Sequence, residues 1–484
     1  MRRLLPALFV AALVVAAPAA AFTPSDPLAP KQWYLTEDHA FDAWPTPPTD
    51  LMPVKVAVVD SGIDGSLPDF AGRILDSKSF VGGNPLVDTE GHGTFVAGEI
   101  AANLDTQGIV GIAYTAQLLI AKVVKPDGTI PLQAEAAAIR WAADQGARVI
   151  NLSLGGVRDP LKPNRDTYSG IEAAAVAYAN AKGALLVAAV GNGDEAFSQP
   201  WPYASYPAAL PHVLGVSALT RSGNVPDFSN RDAIYNDISA PGQGIFSTFP
   251  AAMTALRQTC VPQGYSDCGP DDYRDPEGTS FAAPQVSAAA ALLFAVNPDL
   301  TNSQVETLLE HTADDVNASN GCTKCGLLRD PYSGWGRLDI AQAIEALAGP
   351  LPTPDKYETN DDAGTQAYTL WGKTYTLTAT VDYYDDQVDV YRVALASGQR
   401  ITAKLTGGWS GANVNLVLWK PGTVRVDDLR TQTKRAAQSI APGSAQKVTF
   451  KAPGRGWYYL EVKVTSPGSG PYTLTLAKTT TARP

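Results

Sequence analysis

The sequence predicts an α/β fold, a mostly parallel sheet with helices on both faces, followed by a small all-β sandwich domain. Three observations carry this. Between residues 54 and 348, short β-rich runs ending in Gly, Asp or Asn alternate with Ala-rich helical stretches. Strand–helix–strand repetition at that spacing calls for parallel pairing with both sheet faces covered. Residues 349–354 read Gly-Pro-Leu-Pro-Thr-Pro, which neither continues a helix nor joins a sheet interior. Beyond them the helical period vanishes, and alternating apolar and polar runs are separated by Gly, Pro and Asp turns.

The elements follow in order. Met1-Arg2-Arg3, an apolar stretch over 4–15 and Ala19-Ala20-Ala21 form a signal peptide over residues 1–21. An uncleaved membrane anchor is the rival reading; Pro6, Pro18 and the small-residue ending favour cleavage. The first domain is expected over 22–348, with strands at 54–59, 118–124, 148–152, 185–190 and 213–216. Helices are expected at 132–145 and 171–181, and residues 286–296 form a helix apolar on all sides, hence buried. A linker spans 349–356 and the sandwich 357–480, with strands at 375–381, 388–395, 401–405, 414–419, 448–450, 457–464 and 472–476.

Composition narrows the function. A chain of 484 residues suits two or three domains, and 18% charged with 45% hydrophobic residues describes a soluble globular protein. The net charge is −11, and loss of the leader with Arg2 and Arg3 makes it −13. That sign argues against a nucleic-acid partner, whose phosphates demand a basic face, and suits an exported protein's solubility. The four cysteines fall in two close pairs, read as disulfides Cys260–Cys268 and Cys322–Cys325. A zinc site at Cys322 and Cys325 is the alternative, but no histidine lies near either pair.

Three short motifs carry chemistry. Val56 to Val59 is a buried strand running into Asp60-Ser61-Gly62, which puts an acid at a strand's carboxyl end. Gly91-His92-Gly93-Thr94 opens a helix, with glycines that let other backbone approach the imidazole. Gly278-Thr279-Ser280-Phe281-Ala282-Ala283-Pro284 precedes the apolar helix, so a serine projects from its positive end. Pro284 is expected in the first turn, where amide donors are spare. Singly, Asp60 reads as a turn cap and Ser280 as an N-cap. Of four histidines, His212 and His311 read as structural and His39 lies in the N-terminal segment.

In the order Asp, His, Ser these motifs resemble the subtilase (subtilisin-like serine protease) family, over about residues 31–347. Asn192 in Gly191-Asn192 and the run Ser153-Leu154-Gly155-Gly156 extend the likeness. The resemblance implies a catalytic triad of Asp60, His92 and Ser280, with Asn192 in the oxyanion hole. It places substrate on Ser153, Leu154, Gly155 and Gly156, beside a first specificity pocket walled by Gly191 and Ser205. These small, uncharged walls imply apolar or aromatic side chains there. It also implies structural calcium on Asp69, Asn103, Asp105, Gln107 and Ile109, with Gln32 as a further oxygen. Phe95, Phe281 and Gln285 depart from residues frequent in the family. Only about ten residues separate Ala21 from Lys31, where relatives often carry an inhibitory prodomain.

The tail resembles the pre-peptidase C-terminal domain of secreted bacterial proteases, through Tyr357-Glu358-Thr359-Asn360-Asp361-Asp362 and Tyr383 to Tyr391. Its acids could bind calcium, with solvated loop charge as the default reading. The expected protein is a secreted, extracellular serine endopeptidase of broad specificity, a monomer acting on proteins or peptides. No stable membrane insertion is expected after leader cleavage. The reading from another class is a catalytically inactive surface or adhesion protein that keeps the fold.

Overall fold

The computed structural model describes residues 21–479, apart from 256–259, 261, 352–354, 359, 365, 384–385, 408, 410 and 427–428. The expected signal peptide, except Ala21, and part of the expected linker lie outside the described residues.

The first domain is built on seven strands: β1 (Lys55–Asp60), β2 (Ile74–Ser79), β3 (Gln117–Lys122), β4 (Val149–Leu152), β5 (Leu185–Ala189), β6 (Val213–Leu219) and β7 (Ile238–Pro241). They lie in the order β2-β3-β1-β4-β5-β6-β7, and every pairing is parallel. The five expected strands are present within a few residues. β2 was not anticipated because Ile-Leu-Asp-Ser-Lys-Ser lies at the sheet edge and lacks an apolar run. β7 ends in a proline, which an edge position tolerates.

The order reverses between β1 and β4: chain from β1 leads to one side of the sheet and chain from β4 to the other. A crevice opens outside the carboxyl ends of the strands at such a switch point. Asp60 ends β1, and Ser153 follows β4 directly, so both stand at its mouth.

Helix Thr279–Val296 is buried almost throughout, which its composition demands. Its length and apolarity match a membrane span, but it lies inside the domain against β4 to β7. On the opposite sheet face lie Leu132–Asp144 and Gly170–Ala181, packed on each other. Ser169 caps the latter through a bond from Glu172 N.

Pro284 corrects the sequence reading. It is the sixth residue of its helix, beyond the first turn, and so removes a needed i→i−4 donor. The carbonyl thereby deprived is that of Ser280. Ser153 Oγ supplies the substitute, donating to Ser280 O at 2.7 Å. Asn151 Nδ2 donates in turn to Ser153 Oγ at 3.0 Å, and Ser287 Oγ to Asn151 Oδ1 at 2.8 Å.

The second domain is a sandwich of nine strands: β8 (Tyr368–Thr369), β9 (Thr374–Asp382), β10 (Val388–Leu395), β11 (Arg400–Gly407), β12 (Val414–Trp419), β13 (Arg435–Ser439), β14 (Gln446–Lys451), β15 (Gly456–Val464) and β16 (Ser469–Lys478). One sheet runs β13-β12-β15-β10-β8 and the other β14-β11-β16-β9. All pairings are antiparallel except β8 with β10. Inward residues such as Leu377, Tyr391, Leu416, Leu460 and Leu474 form its core. The short β8 and the edge strand β13, Arg-Ala-Ala-Gln-Ser, lacked the apolar alternation that marks the others.

Both cysteine pairs form disulfides, Cys260–Cys268 and Cys322–Cys325.

Ser153→Ala is expected to cost about 1–3 kcal/mol, because it leaves the partly buried Ser280 carbonyl without a donor. In a Pro284→Ala background the helix regains its own donor, so the same change should cost less. Urea unfolding of the four inhibited proteins measures that coupling. Strict additivity would refute it.

Candidate active site

Asp60 is 2% exposed and aims its carboxylate at the helix that opens with His92. His92 Nδ1 lies 2.9 Å from both Asp60 oxygens, and Ser61 N donates to Oδ1 at 2.7 Å. This approach explains Gly93: a Cβ there would stand 2.2 Å from Gly62 O and 3.2 Å from Asp60 Oδ1. Burial lowers the imidazole pKa, but the charge and hydrogen bond of Asp60 outweigh it, and the group ends above 6.5. With Nδ1 held, Nε2 is the nitrogen left to exchange protons. The other three histidines lie elsewhere: His39 beside Asp339, His212 beside Asp361, and His311 against Trp335.

Asp88 was not anticipated. It is 5% exposed and accepts from Ser61 Oγ at 2.9 Å, Gly91 N at 2.9 Å, Thr94 N at 3.0 Å and Thr94 Oγ1 at 2.6 Å. Ser61 Oγ accepts from Gly93 N at 2.9 Å. One buried carboxylate thus ties the turn after Asp60 to the turn that presents His92. Nothing local in Leu-Val-Asp-Thr-Glu distinguishes this acid from an ordinary loop residue.

Ser280 sits in the first turn of its helix, where backbone N–H groups lack partners within the helix. Its Oγ donates to Ser153 O at 3.2 Å, so the two serines exchange side-chain-to-carbonyl bonds. The neighbouring Phe281 ring lies 5.6 Å from His92 and 4.6 Å from Phe95, an apolar wall beside the imidazole. Asn192 follows β5. Its Oδ1 accepts from Thr279 N at 3.0 Å and Thr279 Oγ1 at 3.1 Å. Because a main-chain N–H can only donate, the amide orientation is settled. The Nδ2 end stands 3.7 Å from where a Cβ on Gly278 would be. Glu195, also unanticipated, bonds the Asn192 side chain and lies within charge range of His92.

The wall residues converge as well. Gly156 and Tyr206 exchange N–H···O bonds of 2.8 Å, and Ser205 N donates to Val190 O at 2.8 Å. Gly191 has φ +93°, and a Cβ on it would stand 2.2 Å from Ser205 Oγ. Leu154 and Gly155 continue the run that starts at Ser153. A Cβ on Gly155 would meet Tyr206 O at 2.7 Å.

Two sets of oxygens have cation-binding character. Asp69 is buried and accepts weakly from Ile109 N at 3.4 Å and from Tyr265 OH at 3.3 Å. Asp26, 1% exposed and missed by sequence reading, lies beside Asp105, whose charge also acts on Asp69. Asp26 Oδ1 accepts from Asp105 N at 3.1 Å, while Oδ2 is buried without a partner. Burial raises the pKa of both carboxyls, with the Asp105 charge adding to it. A Cβ on Gly108 would stand 2.4 Å from Asp69 Oδ1, so the loop wraps the acid closely. Asn103 offers only its carbonyl, since Oδ1 accepts from Arg73 Nε at 2.6 Å and Nδ2 donates to Ala71 O at 3.1 Å. Gln32 is likewise committed, to Val110 and Tyr34. Gln107 N donates to Asp105 Oδ1 at 3.0 Å and the Gln107 side chain is exposed.

The second set is in the sandwich. Ligand oxygens of Glu358, Asp361 and Asp386 lie within 4.8 Å of one another. Glu358 Oε1, Asn360 Oδ1 and Asp386 Oδ1 are buried without partners. Burial, then the neighbouring Asp361 and Asp355 charges, push Glu358 up to about 8; Asp361 rises to about 7 through burial and Asp362. The reading of these acids as solvated loop charge is corrected: the fold gathers them.

Fold and site together define a serine endopeptidase on a parallel α/β sheet. The chain belongs to the subtilase family, whose description matches residues 53–327, and residues 387–464 match the bacterial pre-peptidase C-terminal domain. It is 31% identical to thermitase of Thermoactinomyces vulgaris, over 67% of this chain and 100% of that one. It is 32% identical to a cell wall-associated protease of Bacillus subtilis (strain 168), over 86% of this chain but 46% of that protein, so it spans under half of that relative. Among solved structures, a protease from Pseudoalteromonas arctica superposes with a TM-score of 0.53 at 26% identity, covering 67% of this chain and 99% of that one.

The raised imidazole pKa sets the pH response. Catalysis by a general base needs neutral His92, so kcat/KM should rise with pH through a midpoint above 6.5. Asp60→Asn removes the charge that raises this pKa, so the midpoint should fall along with the rate. A pH–rate profile checks both, and an unmoved midpoint would show that another group is titrating.

Proposed function

We propose that this chain is a secreted serine endopeptidase that hydrolyses peptide bonds through Ser280, His92 and Asp60. The observation that carries the reading is the two-oxygen grip of Asp60 on His92 Nδ1 at 2.9 Å, beside the helix terminus that presents Ser280. Rotation about the Ser280 Cα–Cβ bond takes Oγ from Ser153 O towards Nε2. Oγ then attacks the scissile carbonyl carbon as its proton passes to Nε2, and Asp60 stabilises the imidazolium. Asn192 Nδ2 and Ser280 N–H hold the oxyanion. Collapse breaks the C–N bond, the departing amine takes the proton from Nε2, and water repeats the sequence on the acyl-enzyme. Losing such an oxyanion donor costs about 10²–10³ in rate, a value measured on a subtilisin.

Substrate lies along Ser153 to Gly156 as an added strand, which supplies affinity without much demand on sequence. Gly191 and Ser205 wall a small, uncharged first pocket that takes apolar or aromatic side chains. Calcium suits the Asp26, Asp69 and Asp105 oxygens with the Asn103, Gln107 and Ile109 carbonyls, and also the Glu358, Asp361 and Asp386 group. Bound there, it would supply positive charge among acids that otherwise repel. The leader over 1–21 directs export.

Casein hydrolysis by the secreted protein tests the mechanism. Ser280→Ala and His92→Ala should each lower kcat by about 10⁴–10⁶ without unfolding the protein. A serine-directed fluorophosphonate should label Ser280 and abolish turnover. Activity near wild type in either variant would sink the mechanism, whereas no casein hydrolysis and no labelling in the unmodified protein would favour the inactive surface protein.

Calcium is tested apart from activity. An ion bound only by the native state at a hundred times its Kd adds about 2.7 kcal/mol, so chelation should lower Tm. Asp26→Ala should diminish that response, and Asp386→Asn should remove a separate part of it. An unchanged Tm on chelation would dismiss both sites.

A further inference from the structure

The second domain packs against the back of the pocket wall. Arg425, 8% exposed, lies beyond β12 and sets its guanidinium 4.5 Å above the ring of Tyr168 in the first domain. It also hydrogen-bonds the side chain of Tyr206. The two tyrosine rings meet edge to face at 5.7 Å. Tyr206 belongs to the wall itself. Its backbone exchanges both bonds with Gly156, and Ser205 before it bonds Val190 through its N–H. Ser205 Oγ accepts from Asn230 Nδ2 at 3.2 Å. The dipeptide Ser205-Tyr206 therefore meets both pocket edges on one side and Arg425 on the other.

The second domain is built to deliver that arginine. Asp362 Oδ1 accepts from Val426 N at 2.8 Å, fixing the residue after Arg425. Asp361 Oδ2 reaches His212 Nδ1 at 3.2 Å, and Gln366 bonds His212 Nε2 at 3.2 Å. The first domain offers a site matched to a planar cation. Arg158 lies 4.8 Å over Tyr235 and pairs with Asp232 at 2.8 Å, and Asp232 also accepts from Ala204 N at 3.1 Å. Arg425 occupies the neighbouring tyrosine faces, although the two guanidiniums repel. Such stacking with a directed hydrogen bond suits arginine and not lysine.

We propose that Arg425 is a positioning residue of the peptidase, supplied by the second domain. Through Tyr168 and Tyr206 it holds Ser205 against Gly191 and Tyr206 against Gly156, and so sets the shape of the first specificity pocket. The proposal rests on reading Gly156, Gly191 and Ser205 as that pocket.

The test uses the full-length enzyme, with active sites counted by fluorophosphonate titration, on peptide amides bearing Phe, Leu, Ala or Lys before the scissile bond. Arg425→Ala should raise KM for the Phe and Leu substrates by about three- to thirtyfold while leaving kcat within about twofold, thereby flattening selectivity. Arg425→Lys should restore little, because the planar stack is lost. Tyr206→Phe should reproduce part of the KM effect, and carries the test if Arg425→Ala does not fold. Unchanged KM and selectivity would overturn the proposal, as would an equal loss on all four substrates, the mark of general destabilisation. Ser205→Asp is the control for the underlying reading. It should shift preference towards Lys. If it does, and Arg425→Ala does nothing, only the proposal fails; if Ser205→Asp shifts nothing, the pocket assignment falls and the proposal with it.

Discussion

Burying the helix Thr279–Val296 creates the constraint on which the site depends. Among its buried residues is Pro284, which leaves the Ser280 carbonyl without its helical donor. An unpaired carbonyl at such depth is costly, so a donor must come from outside the helix. Ser153 Oγ provides it, and Ser280 Oγ answers by donating to Ser153 O. The helix end that presents Ser280 is thereby joined to the chain leaving β4. Because β4 adjoins β1 at the reversal of strand order, the same region also receives Asp60.

Around that junction, polar groups act mainly by fixing other polar groups. Asp88 joins the turns behind Asp60 and His92, so the imidazole geometry does not rest on one contact. Thr279 orients Asn192 by donating twice to its oxygen. In a shielded setting such bonds are strong and hard to rearrange, which is the form preorganisation takes here. Phe281 and Phe95 close the apolar side and shield the Asp60–His92 pair from water.

The acids obey a different logic. Asp26 and Asp69, each beside Asp105, and Glu358 with Asp361 and Asp386 are held at the expense of like-charge repulsion, and several of their oxygens are buried unpaired. Like charges gathered in this way suit a hard cation. The second group has a further consequence for architecture. Asp361 and Asp362 extend from it to His212 and to the backbone beside Arg425, so it borders the contact between domains.

The parallel sheet, the antiparallel sandwich, the buried helix and the strand-end or helix-start positions of Asp60, His92 and Ser280 were legible because each leaves a local signature. Apolar runs, a proline-rich break and glycines flanking a polar residue need no partner to be recognised. The edge strands β2 and β13 left none, since a strand solvated along one side has little reason to be apolar, and the buried β7 is too short, at four residues, to show a run. Asp26, Asp88 and Glu195 were equally silent: an acid is identical in sequence whether it caps a turn, joins two loops or faces a cation. Pro284 was visible, but the cost of its place in the helix was settled only by Ser153, 131 positions away in the chain. Sequence alone determined which chemistry this protein carries, because that chemistry is written in residue types and their order. Tertiary structure decided how each polar group is satisfied and that Arg425 of the second domain meets Tyr168 and Tyr206 of the first, because those depend on contacts between distant segments.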